Sequence, residues 1–217
     1  MKTIAIVAGG PVEYYPDLTI YHQKDTVWIG VDRGVYHLLQ AGITPKVAFG
    51  DFDSLSETDR IEALKQVEIV YPYPKEKDAT DLELAIDWAL QKQPANIIVF
   101  GATGGRLDHG LMNVQLLIKS IHTSVEMWLI DKQNKLTLKQ PGRYDVKQTR
   151  NYHYLSFLPF SSPVEQLTIE GVKYPLQNET LTWGNSLCIS NEIVANKATF
   201  SFTDGLLLIL QSKDEKQ

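Results

Sequence analysis

Through the first 130 residues, strand-length apolar runs alternate with stretches whose apolar residues recur at helical spacing, and few folds accommodate that pattern. The runs cover residues 3–8, 26–31, 46–49, 68–73, 96–100 and 125–130. They are continuously apolar rather than alternating, as strands buried on both faces are. Between them, Leu82, Ala85, Ile86, Ala89 and Leu90 follow the spacing of one helix face, and Leu111, Val114, Leu117, Ile118 and Ile121 do the same. Thr80-Asp81-Leu82-Glu83 fits a capping box at the start of the first of these helices. The alternation predicts a mainly parallel sheet with helices on its faces.

After Asp131 the pattern changes. Residues 134–140, 152–157, 164–169, 187–190, 198–202 and 206–210 are short β-prone runs, split by turn signals at Pro141-Gly142, Ser161-Ser162-Pro163 and Asp204-Gly205. No helical periodicity interrupts them. The expected architecture is therefore α/β: an N-terminal, mainly parallel α/β sandwich domain over 1–131, followed by a smaller C-terminal antiparallel β-sandwich domain over 132–217.

Charge divides along the same boundary. The chain of 217 residues has a formal net charge of −5. Residues 1–131 hold 18 acids against 11 Lys+Arg, and residues 132–217 hold 8 against 10. An acidic chain with no Lys/Arg stripe does not suit a nucleic-acid surface. No apolar run approaches the length of a membrane span, and the N-terminal run is too short for a signal peptide. A single cysteine, Cys188, excludes an intramolecular disulfide and reads as a small core residue. A cytoplasmic protein is expected.

The acids of the first domain are placed informatively. Asp32 follows the second run, and Gly50-Asp51-Phe52-Asp53-Ser54 follows the third. Lys77-Asp78-Ala79-Thr80-Asp81 comes shortly after the fourth, and Gly101-Ala102-Thr103-Gly104-Gly105-Arg106-Leu107-Asp108-His109 follows the fifth. In a parallel sheet these segments share one edge, the carboxyl ends of the strands, where open α/β folds bind ligands. Each aspartate also has an ordinary role in a turn or helix cap, with Asp108 able to cap a helix beginning at His109. Gathered together, however, they imply a cation or raised pKa values. Two carboxylates about 4 Å apart repel by roughly 4 kcal/mol at an effective dielectric of about 20. An all-oxygen set favours Mg²⁺ over zinc. Backbone N–H groups of Gly101, Gly104 and Gly105, with the Arg106 guanidinium, suit phosphate oxygens. A nucleotide polyphosphate with Mg²⁺ satisfies both halves. Trp183, in a turn-rich segment, is a candidate stacking surface. There is no P-loop, no dinucleotide fingerprint after the first strand and no nucleophile elbow.

The ordered set formed by the 50–54, 77–81 and 101–109 segments resembles the thiamine pyrophosphokinase family. Val31-Asp32-Arg33-Gly34 and Ser190-Asn191 fit the same pattern. The resemblance spans nearly the whole chain. It implies a homodimer with the site at the subunit interface, and Mg²⁺-dependent transfer of a pyrophosphoryl group from ATP to thiamine with release of AMP. By that resemblance Asp51, Asp53 and Asp81 are the metal and catalytic carboxylates, with Asp78 a further catalytic candidate and Asp32 close by. Lys77, Gly101, Thr103, Gly104, Gly105, Arg106, Asp108 and His109 fall to the nucleotide, and Ser190 and Asn191 to thiamine. Any of Asp53, Asp78 and Asp81 can accept the hydroxyl proton.

Two other readings compete. Asp51-x-Asp53 after a strand matches the nucleophile motif of haloacid-dehalogenase-like phosphatases, a scheme with no use for the glycine segment. A non-catalytic nucleotide-binding module is the other.

Overall fold

The computed structural model describes residues 3–52, 56–72, 78–161 and 163–215. Asp53 and Lys77, both expected at the site, lie outside these residues. The chain divides into two units, Met1–Lys132 and Gln133–Gln217.

In the first unit the apolar runs become six strands: β1 (Thr3–Val7), β2 (Thr26–Val31), β3 (Val47–Gly50), β4 (Ile69–Pro72), β5 (Asn96–Phe100) and β6 (Glu126–Ile130). All their pairings are parallel, in the order β4-β3-β2-β1-β5-β6. The chain builds outward from β1 to β4, then returns to pair β5 on the free side of β1. The order therefore reverses between β1 and β5, the position at which such sheets open a crevice beyond the strand ends. Ile4, Ile6, Ile29, Ile97 and Phe100 have no exposed surface, which explains why these strands show no polar alternation.

Among the described residues, four α-helices flank the sheet: α1 (Gly34–Gln40), α2 (Glu57–Leu64), α3 (Asp81–Gln91) and α4 (Leu107–Gln115). Helix α3 carries one half of the expected capping box, the Thr80 hydroxyl accepting the Glu83 N–H at 3.2 Å. Its buried face is Leu82, Ala85, Ile86 and Ala89. The Glu83 carboxylate is 2.9 Å from Lys119. The expected helix face from Leu111 to Ile121 is not one face. Helix α4 begins at Leu107 rather than His109 and gives way to a 3-10 turn over Leu116–Ser120. No side chain of α4 is buried and Leu111 is exposed, whereas the 3-10 turn buries Leu116 and Leu117 and leaves Ile118 exposed.

The second unit is a β-sandwich. Its three-stranded antiparallel sheet has the order β7-β13-β9, from β7 (Asn134–Lys139), β13 (Leu207–Ser212) and β9 (Tyr154–Pro159). The four-stranded sheet has the order β11-β10-β12-β8, from β11 (Leu176–Leu181), β10 (Val164–Glu170), β12 (Lys197–Phe202) and β8 (Gly142–Lys147). Leu155, Phe157, Leu207 and Ile209 meet Leu167, Ile169, Ala198 and Phe200 in one buried cluster. The sequence pattern does not mark β8 and β11. Both are edge strands of their sheet, where polar and charged side chains blunt an exposed edge and dilute the apolar signal. Residues 187–190, expected as a strand, instead form a turn-rich segment alongside β9, because Ser190 takes a left-handed backbone (φ 56°) that ends extended structure.

Candidate active site

Three departures from ordinary backbone geometry mark the carboxyl ends of β2 and β3. Asp32, Gly50 and Phe52 have φ of 49°, 138° and 57°. A left-handed backbone at a non-glycine residue costs energy and persists where its surroundings enforce it. For Phe52 the enforcement is burial, since its ring is 3% exposed and packs with Val35, Ala48 and Ala63. With that ring anchored inward, half-buried Asp51 sits on the turn between a left-handed residue and Gly50. Asp32 is tied to the neighbouring strand, its N–H donating to the Phe49 carbonyl at 2.8 Å. Its Oδ1 is shut off from solvent, and a Cβ on Gly50 would stand 1.9 Å from that oxygen. Gly50 is therefore required both by its φ and by the space Asp32 occupies. Asp81 opens α3 beside the Thr80 cap, a favourable place for an acid on a helix dipole. Asp78 is exposed nearby in the chain.

The glycine segment extends from β5, on the other side of the sheet reversal. Gly101 and Gly104 have φ of 65° and 82°. Four contacts hold this loop. Gly10, just past β1, donates its N–H to the Gly101 carbonyl at 2.9 Å. Asn113 of α4 donates to the Ala102 carbonyl at 2.8 Å. Thr103 donates to Asp131 at 2.7 Å. The fourth contact is aromatic: Tyr15 places its hydroxyl, which donates to the Ala8 carbonyl, where a Cβ on Gly101 would be, and the Tyr14 ring fills that place at Gly104. Burial raises the Tyr15 phenol pKa well above its ordinary value, so the phenol stays a donor. Gly105 differs from its neighbours. Its φ is not positive, and a Cβ there would meet only Pro11 Cδ at 3.8 Å. The fold thus makes no demand for glycine at this position.

Beyond the loop, Arg106 and Asp108 form a bidentate pair, Nε to Oδ1 at 3.1 Å and a terminal nitrogen to Oδ2 at 2.6 Å. The Asp108 carboxyl is held down to about 2, first by the Arg106 hydrogen bonds and then by the His109 N–H. Asp108 is therefore engaged at the first turn of α4 rather than preceding it, and His109 is exposed. Among the described residues, no three His, Cys, Asp or Glu side chains group closely enough to hold a metal ion.

The second unit carries Ser190 and Asn191. Asn191 is 4% exposed. Its Oδ1 accepts the Tyr174 and Glu192 N–H groups and its Nδ2 donates to the Tyr174 carbonyl, so its amide braces the turn. Ser190 is exposed and lines a cavity of about 400 Å³ together with Asn134, Tyr154, Lys213 and Asp214. Trp183 is 72% exposed, its indole N–H donated to the Ser161 carbonyl at 2.7 Å.

Several residues of the site escape sequence reasoning. Gly10, Tyr14 and Tyr15 follow β1, and a Gly-Gly pair at the end of the first strand is the signal that points to them. Asp131 follows β6 as Asp32 follows β2, and that repetition is legible in the sequence.

The model of the thiamin pyrophosphokinase catalytic domain matches residues 18–129, and that of the thiamin pyrophosphokinase vitamin B1 binding domain matches residues 143–207. The chain is 52% identical to the thiamine pyrophosphokinase of Bacillus subtilis (strain 168), over 99% of this chain and 100% of that protein. A crystal structure of thiamine pyrophosphokinase from Bacillus subtilis superposes with a TM-score of 0.94 at 51% identity, covering 99% and 100% of the two chains. One of thiamin pyrophosphokinase from Geobacillus thermodenitrificans gives 0.90 at 45% identity, covering 99% of each. Neither the phosphatase nor the binding-module reading is favoured by these matches. With two domain models matched in order and a relative of this identity spanning both, the chain belongs to the thiamine pyrophosphokinase family.

Proposed function

We propose that the chain transfers an intact pyrophosphoryl group from ATP to the hydroxyl of thiamine, yielding thiamine diphosphate and AMP. The observation that carries this reading is the 52% identity over the whole of a thiamine pyrophosphokinase. Residues 1–131 take the nucleotide and the chemistry in this reading, and residues 132–217 take thiamine.

Phosphate oxygens are received by the backbone N–H groups of the loop after β5. Gly105 supports this assignment, because a glycine that its own fold does not require leaves backbone open to a ligand. Thr103 is held back by Asp131 and keeps the loop in shape, while Arg106 stands at its exit with Asp108 fixing the guanidinium plane. By the family resemblance, Lys77 and His109 also fall to the nucleotide. Asp51, Asp53 and Asp81 would offer carboxylate oxygens alone, a chemistry that fits a hard, oxygen-seeking ion. Mg²⁺ held by these carboxylates would offset charge on the phosphate oxygens. Asp32, immobilised against Gly50, shapes the turn that carries Asp51. The thiamine hydroxyl attacks the β-phosphorus in line, the bond to the α-phosphate oxygen breaks, and one of Asp53, Asp78 and Asp81 accepts the proton. Ser190 faces thiamine, with Asn191 bracing its turn.

Phosphorus NMR of the protein with ATP, Mg²⁺ and thiamine tests the reaction. AMP with a new diphosphate ester is expected; inorganic phosphate alone, or unchanged ATP, overturns it. A homodimer in the cytoplasm completes the proposal. Light scattering tests the dimer, with twice the 24.5 kDa chain mass expected.

A further inference from the structure

Ser190 has a backbone that serine rarely adopts, and the structure shows what holds it there. At φ 56° it lies in the left-handed region, and it has no glycine's freedom to do so. Its N–H donates to Ser156 Oγ at 2.9 Å. Ser156 lies on β9 between Leu155 and Phe157, both buried in the sandwich core, so its own side chain emerges on the opposite face. It is nonetheless only 6% exposed. The chain beside Ser190 is tied to β9 independently: Leu155 and Asn191 exchange N–H···O bonds at 2.8 and 3.1 Å, and the Phe157 N–H donates to the Cys188 carbonyl at 3.0 Å. The Ser156 hydroxyl is therefore not needed to attach the segment. What it fixes is the orientation of the one peptide that carries the Ser190 N–H.

We infer that Ser156 is a positioning residue for the pyrophosphoryl acceptor: it holds Ser190 in the left-handed conformation that keeps it on the wall of the 400 Å³ cavity. This rests on the reading of Ser190 as a thiamine contact. Without the hydroxyl, the Ser190 N–H loses its acceptor and the peptide is released to relax out of a costly conformation. The consequence falls on thiamine alone, because the loop that receives the nucleotide belongs to the other unit.

The isosteric pair Ser156→Thr and Ser156→Val separates hydroxyl from shape, since both are β-branched residues suited to a strand and differ only in the group that accepts the bond. Ser156→Val is expected to raise the KM for thiamine about tenfold over Ser156→Thr, the effect of one hydrogen bond, with the KM for ATP the same in both. In the same pair, amide hydrogen exchange at Ser190 should be faster in the valine variant. Equal thiamine KM values and equal exchange in the two variants overturn the inference, as does a parallel rise in both KM values, which marks a merely structural role. Ser190→Ala tests the underlying reading separately. A raised thiamine KM supports it, and an unchanged one removes Ser190 from the thiamine site and this inference with it.

Discussion

The hydroxyl of Thr103 donates a 2.7 Å hydrogen bond to the carboxylate of Asp131, which is buried to 4% exposure at the carboxyl end of β6. The bond spans 28 residues of chain and joins the glycine loop after β5 to the next strand of the sheet. A buried carboxylate needs such donors, so the loop conformation and the burial of Asp131 are mutually dependent. Thr103→Val removes the donor without changing the shape of the side chain. The variant should lose about 1–3 kcal/mol of stability and show a raised KM for ATP with an unaltered KM for thiamine. Thr103→Ser should behave like wild type. Steady-state kinetics with each substrate varied in turn, together with thermal unfolding, decide the matter.

Gly50→Ala places a methyl group 1.9 Å from Asp32 Oδ1 at a φ of 138°. Either Asp32 or the turn bearing Asp51 must move. Displacement of catalytic groups by about 1 Å can cost on the order of 100-fold in rate, and a loss of that size in kcat is expected. A fully active Gly50→Ala would show that the packing of Asp32 against this turn is irrelevant to turnover.

Thr80 and Asp81 are adjacent at the start of α3 and should separate cleanly on mutation. Thr80→Ala deletes the cap to the Glu83 N–H and should cost about 1 kcal/mol, visible as a lower urea midpoint with kcat little changed. Asp81→Asn should abolish AMP formation while the urea midpoint stays near wild type. Near wild-type AMP formation in the second variant would remove Asp81 from the chemistry.

Asp108 titrates at about 2 because the Arg106 hydrogen bonds favour its charged form. A depressed acid stabilises the fold above its unfolded pKa of about 3.9. The contribution is lost as pH falls through the folded value, so the window runs from about pH 4 down to about pH 2. In Arg106→Gln the Asp108 carboxyl should titrate closer to 3.9, as carbon-detected NMR of the side-chain carboxyl can measure, and the KM for ATP should rise.

Cys188 is 2% exposed, and burial pushes its thiol up to about 11. At pH 8 roughly one molecule in a thousand carries the reactive thiolate. An aromatic disulfide reagent should label the native protein very slowly and the urea-unfolded protein at once.

The α/β core was legible because strands buried on both faces carry uninterrupted apolar runs, and four of the segments bearing the candidate site could be located from strand ends alone. Strands β8 and β11 were not legible, since an edge strand must carry polar residues and so resembles a loop. The face from Leu111 to Ile121 misled because hydrophobic spacing does not report where an α-helix tightens into a 3-10 turn. Asn191 reads as a ligand residue in sequence, and only the fold shows that its Oδ1 and Nδ2 also brace the backbone of Tyr174 and Glu192.

What the sequence determined by itself is therefore one-dimensional order: which runs are strands, which acids and glycines follow them, and which family that order matches. Such information is local, carried by periodicity and by the residues at each strand end. Only the tertiary structure decided the contacts between distant parts of the chain. These are Asp32 filling the space above Gly50, Tyr14 and Tyr15 beneath the glycine loop, Thr103 bonded to Asp131, and the Ser156 hydroxyl holding the backbone of Ser190. Each depends on two segments meeting at hydrogen-bonding or van der Waals distance, and no spacing along the chain encodes that meeting.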